Sequence, residues 1–121
     1  MFREVLHKVL NRTEGCLGVL IMGTDGIAVA SVWKYGAKQP NLEVALAEFT
    51  ALMRNADRTK TDSHLGRLRE MSLTGDHAVF ILRSVTKNYF LAMILLPDGN
   101  FGRARYELRC AELLLANELI I

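Results

Sequence analysis

No stretch of this sequence approaches the ~20 consecutive apolar residues that a membrane-spanning helix needs. The first ten residues, MFREVLHKVL, carry charge at every third or fourth position, unlike a secretory leader. Neither sign of charge dominates. Lys and Arg number 15 against 13 Asp and Glu, a net charge of +2. That balance is too even for bulk attraction to nucleic acid or to an anionic membrane. Cysteine is scarce, and Cys16 and Cys110 form neither a metal-ligand spacing nor a disulfide framework. The simplest reading of both is a small buried thiol. These absences predict a cytoplasmic protein with no nucleic-acid partner and no direct membrane insertion.

The motifs of chemistry are missing as well. There is no GxxxxGK[ST] loop, and Gly23-Thr24-Asp25-Gly26 lacks the lysine that a phosphate-binding loop uses. No GxGxxG occurs. His7, His64 and His77 are scattered, without Cys, Asp or Glu at ligand spacing, so no metal site is expected. No nucleophile elbow surrounds Ser31, Ser63, Ser72 or Ser84. Asp25 and Asp98 suit turns, where a carboxylate caps backbone N–H groups. The expectation is a protein with no catalytic residues and no cofactor. Repeats and low-complexity segments are absent too, and 121 residues make one domain of ordinary size.

What is present centres on CLGVLIMGTDGIAVASV, residues 16–32. Two apolar runs, 16–22 and 27–33, flank Gly23-Thr24-Asp25-Gly26. An Asp-Gly pair between apolar runs is a strong hairpin signal, because it supplies the positive φ angles of a tight reversal. In the second run Ile27 and Val29 alternate with Ala28 and Ala30. That pattern predicts a bulky face and a small face, the latter open to close packing by a helix. Trp33 reads as the apolar end of this strand.

Ahead of the hairpin, Phe2, Val5, Leu6, Val9 and Leu10 recur at helical spacing, with Gly15 as the C-terminal cap. After it, Asn41 is the expected cap of a second helix, with Pro40 just outside, running from Leu42 to about Arg58. Leu42, Ala45, Leu46, Phe49, Leu52, Met53 and Ala56 share one side, and Val44, Ala47 and Ala51 widen the apolar arc. Residues 57–64, DRTKTDSH, read as an exposed loop. Three strands follow: Gly66–Leu73, half polar; then Ala78–Val85 and Tyr89–Leu96, apolar at successive positions and so expected to be covered on both faces. Asn100 caps a last helix, from Gly102 to about Leu119, with Ala104, Leu108, Ala111, Leu115 and Leu119 along one stripe.

The order α-β-β-α-β-β-β-α implies an α+β sandwich: one five-stranded antiparallel sheet, the two terminal helices on one face and the middle helix on the other. Five strands at ~4.8 Å span about 24 Å. One helix covers roughly 10 Å. The middle helix alone therefore leaves apolar sheet uncovered, and a second copy bringing its own middle helix alongside is the economical solution. The strand at 66–73 is an edge that a mate could pair with.

Taken together, GCLGVLIMGTDGIAVAS and LGRLREMSLTGDHAVFILRSVTKNYFLAMILLPDGNFGRARYELRCA resemble the Roadblock/dynein light chain family, in particular its bacterial MglB-like branch. The G-x-DG-x-x-x-A turn at Gly23 to Ala30 and the closing PDGN-x-G-x-A-R-Y-E-L at Pro97 to Leu108 carry most of the likeness. The resemblance implies a single Roadblock-like domain over residues 1–121. It implies homodimers, or heterodimers with a paralogue, built through the middle helix and third strand. The interface residues would be Leu46, Phe49, Leu52, Met53, Arg67, Arg69 and Met71. It further implies a non-enzymatic regulator of a Ras-like small GTPase, activating or simply binding it, whose partner surface would be Glu43, Glu48, Arg54, Asn55 and Arg58. An arginine inserted into a GTPase site is worth ~10³–10⁵ in rate. The bacterial branch favours the other mode, in which the GTPase's own residues are held in place. A structural adaptor in a motor or membrane-tethering complex, and a small-molecule sensor, are the competing readings.

Overall fold

Leu6 and Val9 are the buried stripe of the first helix, α1 (Phe2–Arg12), while Arg3, Glu4, His7 and Lys8 are exposed. Gly15 takes φ +85° and turns the chain into β1 (Cys16–Gly23). A Gly23–Gly26 reversal leads into β2 (Ala28–Trp33), and α2 (Pro40–Asp57) follows. The remaining elements are β3 (Glu70–Thr74), β4 (Val79–Thr86), β5 (Tyr89–Leu95) and α3 (Phe101–Leu115). This is a computed structural model, and it describes residues 2–58 and 64–119. The predicted loop at 57–64 therefore falls mostly outside the described residues.

The five strands form one antiparallel sheet in the order β2-β1-β5-β4-β3. Period-two alternation sends Val19, Ile21, Ile81, Leu91, Met93 and Leu95 to one face, where they pack with Leu6 and Val9 of α1 and Ala104, Leu108 and Ala111 of α3. Leu20, Met22, Leu82, Phe90, Ala92 and Ile94 point to the other face, under Leu46 and Met53 of α2. The expected sandwich, with terminal helices on one side and the middle helix on the other, is what the chain adopts. β5 lies at its centre and is buried throughout except at Tyr89.

Four details differ from the sequence reading. α2 begins at Pro40, not Leu42, with Gln39 rather than Asn41 as the N-cap residue. Proline's fixed φ and missing N–H suit the first helical turn, so Pro40 starts the helix instead of standing outside it. β3 begins at Glu70, not Gly66. His64 and Gly66 have φ of +57° and +79°, and the Leu68 N–H donates to Asp57 Oδ1 at 2.7 Å, which ties residues 64–69 to the end of α2. In β2 a register shift opposite Ile21 and Met22 adds Val29 as an extra residue. It breaks the bulky-versus-small alternation: Ala30 packs on the α1 side while Val29 stays half exposed. Glu107, outside the predicted apolar stripe of α3, is nonetheless 3% exposed and lies 2.6 Å from Arg103 Nη2.

Candidate functional site

α2 presents three stripes at helical spacing. Leu46, Thr50 and Met53 turn inward and are fully buried on the chain's own sheet, the Thr50 hydroxyl donating to the Leu46 carbonyl at 2.8 Å. Towards the β1–β2 turn lie Ala47, 3.3 Å from where a side chain on Gly26 would begin, and Arg54, whose guanidinium donates to the Thr24 carbonyl. Glu43 and Arg58 are in line with these two, and Glu43 stands 4.0 Å from Lys38. Val44, Glu48, Leu52 and Asn55 face outward, with Val44 62% and Leu52 49% exposed.

On the β3 side of α2, Phe49 meets Phe80 edge to face, with ring centroids 5.0 Å apart. Phe80, Met71 and Leu73 are only half buried, so the sheet is incompletely roofed here. The opposite sheet face is closed and also clamped by charge. Arg83 of β4 donates to Glu112 of α3 at 2.5 Å and to Glu70 of β3 at 3.0 Å, and Arg105 reaches the second oxygen of Glu70 at 2.6 Å. Burial pulls the Arg83 pKa down, but its bonds to the two carboxylates outweigh this and hold it above the ordinary arginine value. The network fixes the edge strand β3 to α3.

The expected interface residues therefore separate. Phe49, Leu52 and Met71 border one partly uncovered apolar area. Leu46 and Met53, expected at the seam, are at 0 and 1% exposure in their own chain's core and offer nothing to a second one. Arg67 and Arg69 precede β3; Arg67 Nη2 donates to Ser84 Oγ at 2.6 Å, and the Arg69 carbonyl accepts from the Ser84 N–H at 2.8 Å. Of the expected partner-facing residues, Glu48, Arg54, Asn55 and Arg58 are exposed and Glu43 is half buried. Phe80 was missed as a surface residue because a run of four apolar residues in β4 reads as uniformly central.

A family model described as the Roadblock/LC7 domain matches residues 2–95. The crystal structure of MglC from Myxococcus xanthus superposes with a TM-score of 0.72 at 34% identity, covering 98% of each chain. A structure titled MglB with tetrameric arrangement reaches a TM-score of 0.85 at 18% identity, over 96% of this chain and 85% of that one, which speaks for the fold alone. An uncharacterized protein of Methanocaldococcus jannaschii is 28% identical over 104 residues, 84% of this chain and 86% of its own length. The family model spans well over half of the sequence, and the chain belongs to the Roadblock/LC7 domain family.

Proposed function

We propose that this chain is a dimeric, non-enzymatic regulator of a Ras-like small GTPase. One observation carries the reading: α2 covers its sheet face incompletely and carries exposed Val44 and Leu52 among polar residues on its outer side. Large side chains exposed along one helix, beside a half-covered sheet, mark a protein interaction surface. Family membership and the 34% identity to MglC support the same reading. A second copy would close over Phe49, Leu52, Met71 and Phe80 about a two-fold axis. The paired helices would then offer Glu43, Glu48, Arg54, Asn55 and Arg58 to the GTPase.

Arg54 is engaged by the Thr24 carbonyl, which holds it against its own hairpin. That favours regulation by positioning the GTPase's own residues over insertion of an arginine. The test is capture of a small GTPase on the immobilised chain, followed by single-turnover GTP hydrolysis with and without it. Acceleration that survives Arg54→Ala and Arg58→Ala within about tenfold supports positioning, since loss of an inserted arginine costs ~10³–10⁵. Tight binding of the GTP form with hydrolysis at its intrinsic rate leaves an adaptor. No GTPase bound in either nucleotide state sinks the proposal.

A further inference from the structure

At the C-terminal end of α2, four segments converge on a cleft of about 250 Å³. They are α2 itself, residues 67–68, the β4–β5 turn and the β1–β2 turn. We propose that this cleft binds a small organic carboxylate. Its floor is apolar, made of Met53 and Phe90, at 1 and 6% exposure. Among the described residues its walls carry three cations, Arg54, Arg67 and Lys87, against one carboxylate, Asp57. Two of the cations are aimed by the protein. Arg54 is held by the Thr24 carbonyl, and Arg67 by Ser84 Oγ, itself in a residue 8% exposed. Each of those bonds uses one of a guanidinium's five N–H donors, so it orients the group while leaving the fork that grips a carboxylate side-on. Asp57 Oδ1 accepts the Leu68 N–H at 2.7 Å, which engages this acid in holding the wall.

Charge and shape together select the ligand. Three cations beside an apolar floor favour an anion, and the floor favours one with methylene groups over an inorganic ion. At ~30 Å³ per water, the cleft holds about eight waters, or an organic acid of roughly nine heavy atoms. A short dicarboxylate such as glutarate has that size. The cleft shares Arg54 with the proposed partner surface but lies beside the outer stripe of α2, and the inference does not rest on the GTPase reading.

The test is titration of the full ¹⁵N-labelled chain, at constant ionic strength, with glutarate, with its uncharged diamide glutaramide, and with inorganic phosphate. Saturable shifts confined to the amides of Thr24, Leu68, Ser84 and Lys87 are expected with glutarate. Glutaramide and phosphate should bind at least ~10-fold more weakly, since hydrogen bonds to a charged group are the stronger ones. Arg67→Gln and Lys87→Gln should each weaken glutarate by about the same factor. Lys87 is exposed in a turn, so its variant keeps the fold and decides the matter if Arg67→Gln disturbs it. No saturable shift, an equal response to phosphate or to glutaramide, or unchanged affinity in Lys87→Gln overturns the proposal.

Discussion

Gly15 and Gly99 pass so close that a Cβ on Gly15 would sit 2.5 Å from the Gly99 Cα, and Gly15 also has φ +85°. Strain and clash fall on backbone, which cannot rotate away. Gly15→Ala should therefore destabilise the chain by about 2 kcal/mol or more, read from urea unfolding. Gly18 meets a softer limit, the Trp33 ring 2.5 Å from its missing Cβ. Cys16 bears out the reading of a buried thiol: burial raises its pKa from 9.0 to about 12. An acid whose pKa rises on folding costs stability once the unfolded thiol ionises. Unfolding free energy should thus fall as pH rises from about 9 towards 12, and the fall should be smaller in Cys16→Ala. Cys110, also expected to be buried, is only half buried, so iodoacetamide at pH 8 should label it well ahead of the buried, protonated Cys16.

Among the elements, those with a local signal were legible. The α1 stripe, the DG hairpin and the Asn100 cap follow from spacing and turn chemistry alone. Asn100 Oδ1 accepts the Arg103 N–H at 2.9 Å, so Asn100→Ala should cost about 1 kcal/mol by thermal or urea unfolding, with the fold retained. Where the signal depends on distant parts, the sequence misled. The start of β3 is set by the Asp57 bond to Leu68, and a contact between α2 and a later segment leaves no periodicity to read. The shift at Val29 depends on how β1 and β2 pair, which alternation within β2 cannot reveal. Glu107 is buried beside Arg103, although its spacing lies outside the apolar stripe and a charged residue there gives no sign of burial.

For the whole molecule, the two sheet faces are unequal. Two helices and a charge network close one; a single helix and half-buried Phe80, Met71 and Leu73 leave the other partly open. The width of five strands against one helix made that imbalance legible from the element order. Which apolar residues of α2 would remain exposed was less so. Phe49 and Leu52 stay near the surface, but Leu46 and Met53 do not, because adjoining apolar stripes look alike until the sheet beneath is in place. The partner-facing polar residues are legible only as a surface, since nothing in their spacing names what they touch. Sedimentation of the purified chain at tens of micromolar tests the pairing of α2 most directly. The account predicts twice the 13.6 kDa chain mass for the natural sequence and a folded single chain for Leu52→Glu. A natural chain that sediments at 13.6 kDa, or a Leu52→Glu variant that stays paired, would contradict it.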